Sequence, residues 1–486
     1  FVTKFDAQGG YSYQNFITDG NRELYRNNVD TGLREPNIDP KNPTARYYLP
    51  LNLQAFFART NVDLLNKYLF TVTFRADATS LFQENKRWGY FPAVGAAWKL
   101  KEESFLKNSS FVQDLKIRIG WGKTGQAGIT GAVGYFPTRP FFEVGNQNGQ
   151  YLPGYNTYTA RPYSADITWE KTNTYNLGLD FEFFKNAAFT GSVDVYKRKT
   201  TDLLATVPSL PGQSTAATEF ISNVGSIEGE GIEANVNVKI VQGDNFNLNV
   251  GGNIAYNYNT VTDLEGVSVV QDTGSGLNQT GVYLAYNPVG QQPYSAWVYE
   301  QIYDASGQPI VGAYVDRNGD GAITNDDRYY KALRPNWTYG FSTTFNYKNF
   351  DFTANFRGQI GGQVYNLKTV TNGTIDGAVA LDGNSVNNVL NFYDGATNPL
   401  YANYNGNATF SDDLLQDASF LRCDNISMGY KFNKFIQKSS LRISASVNNV
   451  FVLTKYEGQD PENFNGIDRN FYPRPRTFTF GVSLDF

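Results

Sequence analysis

The sequence predicts an all-β protein, and more specifically a transmembrane antiparallel β-barrel. The first observation is the segment 477–486, T-F-T-F-G-V-S-L-D-F, in which apolar and polar side chains alternate strictly. Successive side chains of a strand point to opposite faces, so this segment has one apolar face and one polar face. Its length of ten residues is also what a tilted strand needs to cross a bilayer.

Three further observations separate a membrane barrel from a stack of soluble β-sandwiches, the alternative that alternation alone leaves open. Many predicted strands alternate for about ten residues, which is longer than the usual five or six. Short and long connections follow each other in turn, as turns and surface loops do in membrane barrels. Charged residues stand in the middle of the polar faces, where a wide barrel has a wet lumen.

The elements follow in chain order. Residues 1–48 lack the alternating pattern and carry Gly9-Gly10 and Asp19-Gly20, which predicts an extracellular loop region. Residues 49–486 are predicted to form membrane-spanning strands with long extracellular loops. Tight turns are predicted at 64–67, 185–186, 242–245 and 348–349. The predicted strands are 51–57, 70–77, 90–100, 115–122, 175–183, 189–195, 232–240, 246–259, 337–347, 350–361, 420–432, 441–451 and 477–486.

The direction of the last strand fixes the side of every loop. Short turns of bacterial outer-membrane barrels face the periplasm, so 477–486 should run towards the periplasm. Counting from both ends, the segment 260–336 must then contain either no spanning strand or two, which gives about thirteen or fifteen strands in all. Because single-chain barrels have even counts and the chain begins without Met, we interpret it as the C-terminal part of a longer polypeptide.

Composition removes several classes of function. The sequence has no His, which excludes His-based triads, His general bases and His metal ligands. Cys423 is the single Cys, which excludes an internal disulfide framework. The net charge of −5 offers no basic footprint for nucleic acid. No apolar run is long enough for a transmembrane helix.

Runs of sequence distributed along the chain carry a family resemblance. They include D-L-K-I-R-I-G-W-G-K-T-G-Q at 114–126, W-E-K-T-N-T-Y-N-L-G-L-D-F at 169–181 and N-N-V-F-V-L-T-K-Y-E-G-Q-D-P-E at 448–462. Further runs lie at 74–82, 89–98, 223–233, 337–352 and 418–430. Together, in order from 51 to 486, they resemble the SusC/RagA-type TonB-linked outer-membrane transporters.

The resemblance implies a barrel of about 22 strands around an N-terminal plug, with this chain supplying its C-terminal strands and not the plug. It implies TonB-dependent active import of an oligosaccharide or oligopeptide across the bacterial outer membrane, with no enzymatic reaction. The implied partners are a SusD-like lipoprotein lid, the TonB–ExbB–ExbD complex acting on the missing N-terminal part, outer-membrane lipid, and the barrel-assembly machinery that reads the terminal Phe486. A dimer of transporter–lipoprotein pairs is also compatible with the family.

Two other functions remain open beside import. One is a passive porin or surface adhesin barrel, which would lack the plug. The other is a secreted, soluble, β-rich glycoside hydrolase that uses paired carboxylates. The carboxylates on the polar faces are Asp77, Glu182, Glu233 and Asp424, which stand on separate strands. A glycosidase needs its two carboxyl groups about 5–10 Å apart, so a lumen lining is the favoured interpretation of these residues.

One motif has the chemistry of a metal site. The run D-R-N-G-D-G-A-I-T-N-D-D at 316–327 places oxygen ligands at the alternating positions of an EF-hand-like calcium loop. The last position holds Asp instead of Glu, and no helical pattern flanks the run. The alternative is therefore an Asx/Gly-rich turn that satisfies its own backbone. The candidate ligands of a structural Ca²⁺ are the side chains of Asp316, Asn318, Asp320 and Asp327 and the carbonyl oxygen of Ala322.

A second stretch is a candidate for ligand contact. Residues 135–165 are rich in Tyr, Phe and Asn. Aromatic side chains with polar neighbours suit stacking on sugars or packing on peptides. They also fill the interiors of loops and contact partner proteins, so both interpretations stay open.

Overall fold

The computed structural model describes residues 1–22, 25–27, 34–36, 45–128, 134–140, 142–144, 158–160, 162–208, 219–266, 268–272, 275–277, 282–372, 408–436, 439–463, 465–469 and 472–485. The strands are β1 (Val2–Arg22), β2 (Tyr25–Asn27), β3 (Arg34–Pro36), β4 (Ala45–Leu64), β5 (Tyr68–Thr79), β6 (Trp88–Lys99), β7 (Val112–Gln126), β8 (Phe142–Val144), β9 (Tyr158–Ala160), β10 (Glu170–Phe183), β11 (Phe189–Thr201), β12 (Leu204–Pro208), β13 (Glu219–Asn223), β14 (Ser226–Gln242), β15 (Phe246–Asp263), β16 (Val269–Gln271), β17 (Ala285–Pro288), β18 (Ser295–Val298), β19 (Gln301–Tyr303), β20 (Pro309–Tyr314), β21 (Tyr329–Ala332), β22 (Trp337–Tyr347), β23 (Phe350–Ile360), β24 (Gln363–Tyr365), β25 (Leu415–Asp417), β26 (Phe420–Ile436), β27 (Ser439–Thr454) and β28 (Thr477–Asp485).

Helical structure is scarce in the same residues. The single α-helix described is α1 (Leu367–Asn372). Short 3-10 helices lie at Leu100–Glu102, Lys185–Ala187, Asn325–Asp327, Ala408–Phe410 and Asp412–Leu414. Across the described ranges, no helix has the length and apolar character that a membrane crossing requires.

The long strands build one large antiparallel sheet. Among the described residues it has 14 strands, in the order β1-β4-β5-β6-β7-β10-β11-β14-β15-β22-β23-β26-β27-β28. Each strand lies beside its neighbours in the chain, so no connection has to cross another. The predicted all-β fold class with antiparallel strands is confirmed. Its last strand ends at Asp485, and Phe486 lies outside the described residues.

The connections of the large sheet alternate in length as predicted, except that residues 80–87 between β5 and β6 are fewer than residues 100–111 between β6 and β7. The β4–β5 connection is a tight turn in which the Lys67 N–H donates to the Leu64 carbonyl at 3.0 Å. Leu65 and Asn66 both adopt φ of 58° there. Lys348, between β22 and β23, has φ of 52°. Left-handed residues let the chain reverse within a few residues, which is how these strands pair without long loops.

The segment 260–336 adds no strand to the large sheet beyond the end of β15. Its strands are short and belong to a four-stranded sheet, β16-β17-β18-β21, and to the hairpin β19-β20. The first of the two alternatives for this segment is therefore correct. The fourteenth strand of the large sheet comes instead from the beginning of the chain.

The expectation of a loop over residues 1–48 is wrong for Val2–Arg22. These residues form β1, which pairs antiparallel with β4 from Val2 opposite Leu64 to Arg22 opposite Ala45. The hairpin β2-β3 then follows, and residues 23–24, 28–33 and 37–44 lie outside the described part of the chain.

Gly10 illustrates why β1 was predicted to be a loop. The residue stands opposite Phe57 in the β1–β4 register. A Cβ atom on Gly10 would lie 2.3 Å from Cζ of Phe57, so the glycine leaves room for that ring. A glycine that indicates a loop in the isolated sequence is here the slot for an aromatic ring from the paired strand.

In β5 the apolar side chains are more exposed than the polar ones, which is the reverse of the pattern in a soluble sheet. The apolar Phe70, Val72 and Phe74 are 43%, 53% and 46% exposed. The polar Thr71 and Thr73 between them are only partly exposed. A soluble sheet would bury its apolar face, whereas a strand that faces lipid presents it outward. This pattern argues against the soluble hydrolase alternative.

The chain divides into two compact units, each with its own core. The first unit comprises Phe1–Trp98, Ile119–Tyr175 and Arg198–Ser226, and the second comprises Lys99–Arg118, Asn176–Lys197 and Ile227–Phe486. The first is centred on Trp169, whose indole N–H donates to the Arg87 carbonyl at 2.9 Å. Phe82 and Phe91 meet the Trp169 ring edge-on at centroid distances of 5.8 and 5.4 Å.

Replacing Val72 by Arg is expected to destabilise the protein by about 2–4 kcal/mol, because a charge near the middle of a lipid-facing strand loses its hydration. The matched control is Thr71→Arg on the opposite face, beside Asn61 and Gly95, which should cost no more than the lost Thr71–Asn61 hydrogen bond, about 1 kcal/mol. Guanidinium unfolding in phospholipid vesicles measures both. Equal costs for the two variants would contradict the assignment of the apolar face to lipid.

Candidate functional site

Three long connections of the second unit fold together. They are the described residues of 264–336, 361–419 and 455–476, which join β15 to β22, β23 to β26 and β27 to β28, and together they form the loop domain. All three contribute to one buried apolar cluster, so they behave as a small folded domain with its own core. Its members are Leu277, Leu284, Ala285, Tyr294, Ala296, Val298, Leu333, Tyr365, Leu367, Leu414, Leu415 and Ile467.

Backbone hydrogen bonds join the second and third connections. The Tyr365 N–H donates to the Gly466 carbonyl at 2.8 Å, and the Asp468 N–H donates to the Tyr365 carbonyl at 2.9 Å. Tyr365 is fully buried. The Tyr294 hydroxyl of the first connection donates to the Asn465 carbonyl at 2.6 Å. These bonds satisfy backbone groups that the apolar core removes from water.

Asp412 joins the first connection to the second. Its Oδ2 accepts from the Tyr329 hydroxyl at 2.6 Å, and its Oδ1 accepts from the Gln301 N–H at 3.0 Å. Lys331 Nζ lies 3.7 Å from the same carboxylate. Burial and the hydrogen bond to Asp412 raise the pKa of the Tyr329 phenol, so this phenol stays protonated and keeps donating.

Arg328 lies in an aromatic cage that spans the same two connections. Its guanidinium carbon is 3.9 Å from the ring centre of Phe410, 4.6 Å from that of Tyr299 and 4.8 Å from that of Trp297. A cation over aromatic rings is stabilised by about 0.5–2 kcal/mol. The contact of Arg328 with Phe410 therefore joins the first connection to the second, in addition to the hydrogen bonds of Asp412.

A cluster of charged side chains connects the loop domain to the large sheet. The most buried pair is Arg422 of β26 and Asp460 of the third connection, with side chains 3% and 7% exposed and atoms 2.5 Å apart. Arg422 also donates to Asn449 Oδ1 at 2.9 Å. The charged cluster consists of Arg357, Arg422, Arg474, Asp424, Asp460 and Glu462.

Arg357 and Arg474 close the charged cluster around Glu462. Arg357 of β23 donates to Asp424 at 2.6 Å and to Glu462 at 2.9 Å. Arg474 lies 2.8 Å from Glu462 and 3.2 Å from Asp460. Burial alone would raise the pKa of Glu462, but the hydrogen bond from Arg357 and the nearby arginine charges lower it overall. Glu462 is therefore ionised and its charge is neutralised by its neighbours.

The face of the sheet that carries Arg357 is polar, and its charged side chains pair with one another, as Asp351 does with Arg442 at 2.6 Å. One row across β15, β22, β23, β26 and β27 places small polar residues opposite each other, and Asn425 Nδ2 donates to Asn448 Oδ1 at 2.8 Å. A cavity of about 430 Å³ lies against this face, with Asn237, Asn253 and Arg357 among its lining. Such a surface offers hydrogen bonds to a polar solute without holding it by charge. The row is Gly251, Ser342, Asn355, Asn425 and Asn448.

The predicted calcium ligands lie in the first connection, where the loop bonds to itself. Asp316 accepts from the N–H groups of Gly319 and Gly321 at 2.7 and 2.8 Å. Asp320 accepts from the Ala322 N–H at 2.8 Å and from the Asn318 side chain at 2.9 Å. The described residues contain no group of three or more acidic, His or Cys side chains arranged to hold a metal.

Asp327, the predicted last ligand, is turned towards the backbone. Its Oδ1 accepts from the Arg317 N–H at 2.9 Å, and its Oδ2 accepts from the Thr324 N–H at 2.7 Å. The side chain is buried. The hydrogen bond from Thr324, followed by those from Asn318 and Arg317, lowers the pKa of this carboxyl group. This geometry fits the Asx/Gly-rich turn better than a cation cage, and calcium binding stays a prediction.

Two further groups of candidates from the sequence are the carboxylates of the polar faces and the aromatic stretch 135–165. Asp77 accepts from Arg75 Nε at 2.8 Å, and Asp424 pairs with Arg357, so both carboxylates are engaged in ion pairs. Most of the stretch 141–157 within the aromatic candidate 135–165 lies outside the described residues. Ligand contact there stays a prediction.

The charged cluster was not predicted from the sequence. Its acidic members Asp460 and Glu462 belong to the run D-P-E within 448–462, and Arg357 and Arg422 stand on predicted strands. The feature of the sequence that pointed to these residues was the presence of charged side chains in the middle of the polar faces of predicted strands. Their pairing joins residues as far as 105 positions apart, which no local pattern encodes.

The family comparison matches nearly the whole chain. Residues 2–450 match the family described as TonB dependent receptor-like, beta-barrel. The chain is 35% identical to the TonB-dependent receptor SusC of Bacteroides thetaiotaomicron, over 99% of this chain and 48% of SusC. It is 29% identical to the TonB-dependent receptor P26 of Formosa agariphila, over 99% of this chain and 51% of P26. The chain thus spans about half the length of these relatives.

A solved structure shares the fold. The chain superposes on a component of the RagAB peptide transporter with a TM-score of 0.77 and 22% sequence identity. The superposition covers 99% of this chain and 53% of the matched chain. The predicted resemblance to SusC/RagA-type proteins and the predicted barrel fold are thereby confirmed.

Replacing Arg422 by Leu is expected to destabilise the protein by up to about 3–5 kcal/mol, because Asp460 would lose its buried partner and keep only the more exposed Arg474 at 3.2 Å. The matched control is Arg75→Leu, since that exposed pair with Asp77 should contribute about 0–1 kcal/mol. The double variant Arg422→Leu/Asp460→Leu should recover part of the loss. Guanidinium unfolding measures all three, and a double variant as unstable as the single one would contradict the role of the Asp460 charge.

Replacing Asp327 by Ala is expected to unfold the segment 316–327, because its backbone N–H groups would lose their buried acceptor. Asp326→Ala, an exposed neighbour, should leave the segment folded. Hydrogen exchange at the amides of Arg317 and Thr324 reports the difference. If a chelator unfolds this segment in the unmodified protein and calcium restores it, calcium holds the loop instead of the hydrogen bonds described above.

Proposed function

The chain belongs to the TonB dependent receptor-like, beta-barrel family, and on that basis we propose that it serves in TonB-dependent import of an oligosaccharide or oligopeptide nutrient. It is an outer-membrane β-barrel of SusC/RagA type. In the full-length protein, binding at the loop domain would precede passage along the polar face of the sheet. Energy would come from TonB, acting on a plug outside this chain.

The observation that carries the proposal is the contrast between the two faces of the large sheet. Apolar side chains such as Met428 and Ile443 are more exposed than the polar ones beside them, as contact with lipid requires. The opposite face holds the row of Gly, Ser and Asn residues from Gly251 to Asn448. A wet wall whose charged side chains pair with one another, as Asp351 does with Arg442, lets a polar oligomer exchange hydrogen bonds with water as it moves, without a deep binding minimum.

The folded loop domain is a reason to propose that a partner protein binds above the transport path. A lid can close reproducibly only on a surface of fixed shape, and the three connections share one core with Tyr365 at its centre. A SusD-like lipoprotein is the proposed lid, in keeping with the similarity to SusC and to a RagAB component. RagAB itself is a peptide transporter.

The proposed role involves no reaction of the substrate. The relatives are receptors and transporters. Asp77 and Asp424, which a hydrolase could have used, are each held by an arginine.

Deleting the gene in the producing bacterium is expected to abolish growth on one polymeric nutrient, and restoring the full-length gene should restore it. Cells that lack TonB should show the same loss of uptake, because the plug would no longer be displaced. Uptake of the radiolabelled nutrient measures both. The matched controls are growth on the corresponding monomer, which crosses porins, and a full-length gene without its TonB-binding segment.

Uptake that continues without TonB would contradict active import and favour the passive porin. Affinity purification of the full-length protein from native membranes should also recover a lipoprotein partner. Its absence would remove the lid from the proposal while leaving TonB-dependent import untouched.

A further inference from the structure

We propose that Asn318 of the loop domain is a modification site, where the loop itself promotes deamidation of the side chain. Asn318 is followed by Gly319. In such a pair the backbone nitrogen of the glycine can attack the asparagine side chain with little hindrance, because glycine has no Cβ. The sequence contains five Asn–Gly pairs, and two of them lie entirely in the described part of the chain, at 318–319 and 465–466. The structure gives these two pairs different surroundings.

The attacking nitrogen of Gly319 has a base in contact with it. Its N–H donates to Oδ1 of Asp316 at 2.7 Å. A carboxylate at this distance can take the proton while the nitrogen attacks, which is the role of a general base. Gly319 is exposed, has φ of 74°, and a Cβ atom placed on it would meet nothing within 4 Å. The glycine therefore has room for the movement that ring closure requires.

The side-chain amide of Asn318 is polarised by the residue that follows the glycine. Its Oδ1 accepts from the Asp320 N–H at 3.0 Å, and its Nδ2 donates to Oδ2 of Asp320 at 2.9 Å. A backbone N–H directed at the carbonyl oxygen stabilises the negative charge that develops there when the carbon is attacked. Both bonds also turn the side chain towards the segment that contains the Gly319 nitrogen, which brings the reacting groups together.

The reaction needs no co-reactant other than water. The Gly319 nitrogen forms a bond to Cγ of Asn318, and its proton passes to Asp316. The Cγ–Nδ2 bond then breaks, and the amide nitrogen leaves as ammonia with that proton. The succinimide ring that remains takes up a water molecule and opens to aspartate or isoaspartate. Both products add a carboxylate beside Asp316 and Asp320, and repulsion between these like charges loosens the loop.

The pair Asn465–Gly466 has the same sequence without this arrangement. The Gly466 N–H donates to the carbonyl oxygen of Asn463 at 3.1 Å, and a neutral carbonyl group is not a base that can take up the proton. The Gly466 carbonyl accepts from the Tyr365 N–H at 2.8 Å, and the Asn465 carbonyl accepts from the Tyr294 hydroxyl at 2.6 Å. These bonds oppose the rotation of both peptide groups that ring closure requires, so Asn465 is protected.

The test is the rate of deamidation at each pair in the purified full-length protein, incubated with a chelator. Peptide mapping by mass spectrometry, with enzymatic methyl labelling of isoaspartate, measures both pairs in the same sample. Asn318 is expected to be converted at least about tenfold faster than Asn465 in the folded protein, because only Asn318 has a base and an oxyanion donor beside it. After unfolding in guanidinium the two rates should become similar.

Two further measurements test the role of Asp316. Asp316→Asn keeps an oxygen acceptor but removes the base, so deamidation of Asn318 should slow about tenfold. The matched control is Asp326→Asn, which removes an exposed carboxylate of the same loop and should leave the rate unchanged. In the unmodified protein, a carboxylate base gives a nearly constant rate from about pH 6 to about pH 8, whereas attack promoted by hydroxide rises about tenfold per pH unit.

Three results would overturn the proposal. They are deamidation of Asn318 no faster than that of Asn465 in the folded protein, a rate at Asn318 that rises in proportion to hydroxide, and equal slowing by Asp316→Asn and Asp326→Asn. The pH profile is measured on the unmodified protein, so it decides the role of the carboxylate even if the Asp316→Asn loop unfolds.

Discussion

The structure depends on one constraint, which is that a backbone within a membrane must find all its hydrogen-bonding partners in the protein. Only a helix or a β-sheet closed into a barrel meets that requirement fully, and the described residues contain a single short α-helix. The pairing of β1 with β4 shows how completely the sheet does so, since it continues from Val2 to Arg22. With the backbone satisfied in this way, the side chains are free to turn apolar groups outward and polar groups to the other face.

The loop domain meets the same requirement by different means. Its chain leaves the large sheet, so its backbone must find new partners among the other connections, as Tyr365 does with Gly466 and Asp468. Burial of Tyr365, Ile467 and their neighbours supplies the free energy that offsets the ordering of so many loop residues. The charged cluster then ties the third connection to β23 and β26, so the position of the loop domain is coupled to the large sheet. A movement of either one must rearrange Arg357 and Glu462.

The polar loop at 316–327 shows how far sequence reasoning reached into the candidate site. The residues named as ligands do gather in one loop, because Asp, Asn and Gly at alternating positions favour such turns. The carboxylate oxygens of Asp316, Asp320 and Asp327 accept from backbone N–H groups of the same loop. Sequence spacing alone does not distinguish a carboxylate that awaits a cation from one that accepts hydrogen bonds from its own loop.

Alternation and turn chemistry were enough to determine the strand pattern, the alternation of short and long connections and the membrane character of the sheet, because these follow from local geometry. The same reasoning missed β1, because Gly10 is explained only by the Phe57 ring of the strand beside it. The core around Tyr365 and the pairing of Arg357 with Glu462 were decided only by the tertiary structure. Both join residues about a hundred positions apart in the chain, and no local pattern determines which distant groups will satisfy one another.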